Sequence, residues 1–376
     1  MRLTCLPEEL KRGLAVVGRA VDPKNTLTVL ENVLLQTEGG RLKLAATNLE
    51  LTVVARVDAS VETEGAVTLP ARRLADYVGL LTASEPLEIS ARGEKAHVRC
   101  GPFEANIKGI DAEQFPALPS VAGGVSFAVL APQLKEAVRQ VAFAAAQDYS
   151  RPMLAGVLMT VQGGRLTMTA ADGFRMASRS LALMNAEAPD VSILVPAKAL
   201  AEVARTLPAE DDAAVLVAIS PDQSQALFGH RQAEVVSRLI DGQFPDLQQV
   251  VSQEAKARAT VQTADLLRAT KAAQVFAAGN SMRVCLDLDP AGGRLTVAAT
   301  TSWIGDNTVN VGASVEGEPM QVSFNGKYLR DALEALGSAE AVLEPAGPLA
   351  PCRILPADGQ HDCLHVIMPM HPRNES

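Results

Sequence analysis

An α+β fold built from one module used three times is predicted by three observations. A strand marker recurs as GGRLKLAAT at 39–47, GGRLTMTAA at 163–171 and GGRLTVAAT at 292–300, giving spacings of 124 and 129 residues. A second marker follows each copy, as LPARRL (69–74), VPAKAL (195–200) and FNGKYL (324–329), with spacings of 126 and 129. Around both markers the apolar residues switch between a period of two and a period near 3.6, the signature of strands alternating with helices. A repeat of this kind governs every later assignment, because each copy must fold in the same way. A third marker, QFPAL (114–118) and QFPDL (243–247), ends the first two copies, while the third ends in VIMPM. The expected domains are 1–123, 124–251 and 252–376, with junctions near Ala122–Gly124 and Ser252–Glu254.

The elements of each module follow in order. The first is a helix: LPEELKRGLAVVG (6–18), LAPQLKEAVRQVAFAA (130–145) and TADLLRATKAA (263–273) occupy one slot, and Leu134, Ala137, Val138 and Val141 share a helical face. Pro7 and Pro132 suit helix starts. Next comes a Gly-Gly turn feeding a strand in which Leu42, Leu44 and Ala46 alternate, which is hairpin chemistry. Each second marker then opens another helix: ARRLADYVGLL (71–81), KALAEVARTL (198–207) and KYLRDALEAL (327–336).

Composition narrows the function. The chain has 376 residues, 48% hydrophobic and 20% charged, as in ordinary globular domains. Its 34 Lys and Arg against 43 Asp and Glu leave a formal charge of -9, the wrong sign for a protein that coats nucleic acid by electrostatics. Five cysteines, at 5, 100, 285, 352 and 363, form no CxxC and are read as reduced thiols. No signal-like segment or long apolar run is present, so a cytoplasmic location is expected.

Cations nevertheless recur on the helices at spacings that share a face. Lys135 and Arg139 are four apart; Arg268 and Lys271, and Lys327 and Arg330, are three apart; Arg12 and Arg19, and Lys198 and Arg205, are seven apart. One such strip is ordinarily a solvated face. With Arg72 and Arg73 in the remaining slot, all six helix slots supply at least one candidate cation, which points to a surface gathered toward phosphates for sequence-blind backbone contact.

With T26-L27-x-x-L30-x-N32, LPAR (69–72), ADGFR (171–175), VPAK (195–198), DGQFPD (241–246) and MPM (368–370) in order over the three copies, the sequence resembles the bacterial β sliding clamps of replicative DNA polymerase. The resemblance covers essentially the whole chain. It implies three DNA-clamp domains, each with two helices and antiparallel sheets, joined head to tail with a second copy into a ring with helices inside and sheets outside. Such a ring holds double-stranded DNA by topology, which reconciles the acidic charge with a DNA partner. The resemblance carries DNA contacts to Lys24, Gln147, Lys198, Asn325 and Tyr328; helical spacing adds Arg72, Arg73, Lys135, Arg139, Arg268 and Lys271.

The third copy ends on the apolar run Val366, Ile367, Met368, Pro369, Met370, whereas chain ends are ordinarily polar. Read alone, the run suits either a last strand or a greasy groove, and methionines suit a groove that accepts varied ligands. The family resemblance selects the groove, which in sliding clamps receives short, partly hydrophobic peptides from the polymerase, the clamp loader and repair proteins. Its matching positions are Leu154, Ala171, Gly173, Phe174, Arg175, Met176, Pro245, Val250, Val366, Ile367, Met368, Pro369 and Met370. Two departures concern peptide preference: Phe174 stands where relatives often carry a polar ring residue, and the tail continues past Met370 with Pro372 in place of an apolar terminal residue.

For ring closure the resemblance points to Tyr77, Leu80, Leu81 and Phe103, the last in GPFEANIK (101–108), facing Val275, Phe276 and the TTSW segment ending at Trp303. No cofactor, metal ligand set or catalytic constellation is assigned. Cys352, His361, Cys363 and His365 are read as half-buried strand residues, and P-loop, GxGxxG, GxSxG and HExxH motifs are absent. Two other functions fit a threefold repeat: an enzyme, against which no residue breaks the repeat in a catalytic pattern, and a peptide-binding scaffold without DNA, against which the basic strips speak.

Overall fold

The computed structural model describes all residues except 23–26, 83–84, 149, 209–211, 278–281, 360–361 and 372–376. Lys24, His361 and the tail beyond His371 therefore lie outside the described residues. Both predicted helices of every module form: α1 (Pro7–Val17), α2 (Ala71–Gly79), α3 (Ala131–Val141), α4 (Ala197–Thr206), α6 (Thr263–Phe276) and α7 (Gly326–Leu336). A single-turn helix, α5 (Gln248–Val251), precedes the third module and was not foreseen.

Each helix buries the face its spacing defines. Leu10, Gly13, Leu14 and Val17 of α1 are buried, as are Leu134, Ala137, Val138 and Val141 of α3. Burying a Leu or Val side chain contributes about 1.5–3 kcal/mol, so three per helix outweigh weak intrinsic propensity. Gly13 shows how tightly α1 sits on its sheet: an added Cβ would come within 2.7 Å of both Leu44 and Val57.

The GGRL markers form hairpins. Glu38 pairs with Arg41, Gln162 with Arg165 and Asp289 with Arg294 across antiparallel strands. In the first two turns both glycines have positive φ (Gly39, Gly40, Gly163, Gly164), as a tight two-residue turn requires. In the third only Gly293 does, and the Asp289 carboxylate accepts from Gly292 N at 2.9 Å in a wider turn.

The chain packs as two compact units, Met1–Pro132 with Glu202–Leu239, and Gln133–Ala201 with Ile240–Ser376. The division runs through the middle module because its strands enter two different sheets. In the first unit, strands Ser126–Leu130, Ala214–Ile219, Gln225–Gly229 and Ala233–Arg238 continue, through Leu51–Val57, into first-module strands to make an eight-stranded sheet. A separate five-stranded sheet ends on Phe103–Lys108. In the second unit, Gly156–Gln162, Arg165–Ala171, Arg175–Ala182 and Val191–Pro196 join third-module strands through Cys363–Ile367, making a sheet of twelve.

Two seams thus join neighbouring modules by the same rule. In each, the strand that follows the GGRL hairpin pairs antiparallel with the last strand of the next module: Val53 with Val235 in one, Ala177 with His365 in the other. Among the described residues no helix is long and apolar enough to cross a membrane.

Candidate partner cleft and basic helix faces

The second seam carries the apolar site. Ala171, Met176 and Val366 form its buried floor, with Phe244, Leu247, Val250, Val251 and Leu364 packed half-buried around them. Leu154 is buried on the 3-10 turn Pro152–Ala155. The 59% exposed Phe174 and the exposed Pro245 face solvent, while Met368, Pro369 and Met370 are half-buried. Main-chain bonds tether this last segment: Met368 N donates to Phe174 O (2.8 Å) and Met370 N to Ser323 O (2.7 Å).

The turn Asp172–Phe174 has a built conformation. The Asp172 carboxylate accepts from the amides of Phe174 (2.9 Å) and Arg175 (3.0 Å), and Gly173 holds φ +93°. A Cβ there would also stand 3.0 Å from Arg151 Nη1, whose other terminal nitrogen donates to Asp172 O.

Two expected groove residues point elsewhere. Ile367 lies in the third-module core, since strand neighbours face opposite sides and Val366 takes the groove side. Arg175 is buried, with every terminal nitrogen engaged. Its Nε donates to Asp172 (3.0 Å), Nη1 to Asp331 (2.8 Å) and Nη2 to Phe143 O (2.8 Å), and its guanidinium carbon lies 4.5 Å from the Tyr328 ring centroid. Burial alone would raise the Asp331 carboxyl, but hydrogen bonds from Arg175 and Lys327 outweigh it and hold the group below its usual value. Phe143, Asp331 and Arg151 escaped the sequence reading; Asp331, four residues after Lys327, left the one usable signal.

The candidate DNA residues divide by what they already hold. Arg73 and Lys135 are exposed and make no ion pair among the described residues. Gln147 and Lys198 are also exposed. Arg72 sits 3.9 Å from Asp76, Lys271 pairs with Glu334 at 2.8 Å and Arg268 with Asp265. Three others also serve the fold. Arg139 reaches back to Glu136 and donates to the carbonyls of Glu334 (2.8 Å) and Ala335 (3.1 Å), capping α7, which has no basic residue in its own last turn. Asn325 is the α7 N-cap, accepting from Lys327 N at 2.9 Å. Tyr328 packs its ring on Arg175, and burial pushes its phenol up.

Of the closure candidates, Leu80 (73% exposed), Phe103, Val275 and Trp303 (68%) are solvent-facing, whereas Tyr77 and Leu81 are half-buried and Phe276 packs against the third-module core. His365 is buried, with Nε2 donating to Gln140 O at 3.0 Å, and burial lowers it to about 4. Burial pushes the thiols of Cys5 and Cys352 up to about 12 and that of Cys363 to about 11, so all three stay protonated at neutral pH.

A threefold α+β repeat, strand-paired between modules and bearing an apolar groove at the second seam, defines a multidomain clamp. Family models described as the N-terminal, central and C-terminal domains of the DNA polymerase III beta subunit match residues 1–119, 129–246 and 248–371. A beta sliding clamp of Synechococcus elongatus is 31% identical over 379 residues, covering 100% of both chains. The crystal structure of the Bacillus subtilis DNA polymerase sliding clamp superposes with a TM-score of 0.93 at 26% identity, covering 99% of this chain and 100% of that one. A Pseudomonas aeruginosa sliding clamp bound to griselimycin gives 0.93 at 28% identity with the same coverage. The chain belongs to the β sliding clamp family, the non-catalytic β subunits of DNA polymerase III.

Proposed function

We propose that two copies of this chain close head to tail into a ring around duplex DNA and tether the replicative polymerase to it. The carrying observation is a pair of complementary open edges. Two seams within the chain each join a post-hairpin strand to the last strand of the following module. The third module's counterpart, the first part of Gly305–Gly317, pairs with Arg294–Thr301 on one side and has no partner for 305–312 on the other among the described residues. The first module's last strand, Phe103–Lys108, is likewise an open edge. Unlike edges that match make a heterologous interface, and closure after two copies yields six modules. Leu80, Phe103, Val275 and Trp303 supply exposed apolar surface for such an interface.

On this reading Lys24, Arg72, Arg73, Lys135, Gln147, Lys198, Arg268 and Lys271 meet phosphates loosely, and the ring, rather than the charge of -9, retains the DNA. The groove floored by Ala171, Met176 and Val366 takes short apolar peptides from the polymerase, the clamp loader and repair proteins in the cytoplasm. One or two buried anchors contribute about 1.5–3 kcal/mol each against ordering costs, so binding is weak enough for partners to exchange.

Sedimentation tests the closure: a particle of twice the 39.5 kDa chain mass is expected, with Trp303 fluorescence shifting as dilution separates the copies. A monomer at every concentration overturns it.

A further inference from the structure

The groove turn and helix α7 meet through one buried charge. Arg175 leaves the groove strand, binds Asp172 of the turn at 3.0 Å and reaches Asp331 of α7 at 2.8 Å, with Tyr328 of α7 stacked against it. The same Asp331 carboxylate accepts from Lys327 (2.9 Å) and Arg330 (3.2 Å), the half-exposed cations of the α7 strip. Arg139 and Gln140 hold the other end of α7 by its last carbonyls.

We propose that Asp331 and Arg175 act as positioning residues for the groove, and that they couple its affinity to anion contact on α7. This rests on the groove being the partner site. Neither side chain contributes apolar surface to the groove floor. Arg175 instead fixes the Asp172 carboxylate, which fixes the amides that shape the turn beside Phe174. Asp331 divides its charge among three cations. When a phosphate draws Lys327 or Arg330 away, Asp331 turns wholly to Arg175 and the turn tightens. By reciprocity, an occupied groove then strengthens anion contact on α7 by the same factor.

The test uses griselimycin as the groove probe, titrated calorimetrically into the full-length protein with and without a short duplex DNA. The unmodified protein must bind griselimycin; if it does not, the groove reading itself fails. Given that binding, Asp331→Asn is expected to weaken it about tenfold, with Asp331→Glu restoring most of the loss at unchanged melting temperature relative to Asp331→Asn. Arg294→Gln, which breaks a surface pair with Asp289 on a distant hairpin, serves as the ion-pair control and leaves affinity unchanged. Duplex DNA is expected to tighten griselimycin binding a few-fold in the unmodified protein and not in Asp331→Asn. Affinity of Asp331→Asn within twofold of the unmodified protein overturns the positioning role, and an equal DNA effect in both overturns the coupling.

Discussion

The two internal seams share strand order and register, yet only the second has become a groove. At the second, the residues flanking the turn are Ala171 and Met176, and with Val366 they make an apolar floor. At the first, the corresponding pair is Thr47 and Thr52, whose hydroxyls bond each other at 2.8 Å in a buried contact. Glu50 stands where the other seam has Phe174, and Arg238, whose amide donates to Glu50 O, stands where it has Met368. Gly173 takes the positive φ that Leu49 holds at +74°. A repeated architecture therefore supplies the junction, and a handful of side chains decides whether it closes on itself or stays open to a ligand.

The sharpest way to break the comparison is through its ion pairs. Arg175→Ala leaves Asp172 and Asp331 facing a buried void, and a loss of about 3–5 kcal/mol is expected in denaturant unfolding. The first seam's Arg56–Glu234 pair is far more solvated, and Arg56→Ala is expected to cost under about 1 kcal/mol. Equal losses would mean that the seams are held together in the same way.

A second difference lies in pH. His365 of the second seam aligns with Val235 of the first, opposite Ala177 and Val53. Its folded value of about 4 lies below the ordinary 6.5, so the unfolded chain binds the extra proton between those values. Stability of the second unit is therefore full above pH 6.5 and declines as pH falls toward 4, by up to about 3 kcal/mol. Melting curves across that range are expected to flatten in His365→Val; an unchanged slope assigns the acid sensitivity to other groups.

The smallest expected effect concerns the floor itself. Met176→Thr brings the second seam toward the first and is expected to weaken binding of a short apolar peptide about tenfold, or about 1.4 kcal/mol. Thr52→Met, its mirror, is expected to leave that affinity unchanged while costing about 1 kcal/mol of stability through loss of the buried Thr47–Thr52 hydroxyl bond. Groove binding insensitive to Met176 would place the ligand elsewhere.

Much of this was legible in the sequence. The GGRL turns, the buried stripe Leu134–Val138–Val141 and all six major helices follow from glycine conformations and apolar periodicity, which are local. What escaped depends on residues far apart. Arg139 was visible as a cation on a helix face, but its partners are carbonyls some 195 positions away. Arg175 was placed in the groove by its motif, whereas its burial depends on Asp331, 156 positions on. Ile367 was grouped with its neighbours because a run of apolar residues hides which of them faces which side of a strand. The split of the middle module between two units was likewise invisible, because strand pairing between modules leaves no local period.

Retention on DNA tests the central claim most directly. Assembled with its clamp loader and ATP on a nicked circular duplex, the protein is expected to stay bound through a high-salt gel-filtration step and to come off once a single cut linearises the circle. Release from the intact circle by salt, or equal retention on circle and line, would mean that charge rather than enclosure holds the DNA, and the account would be wrong.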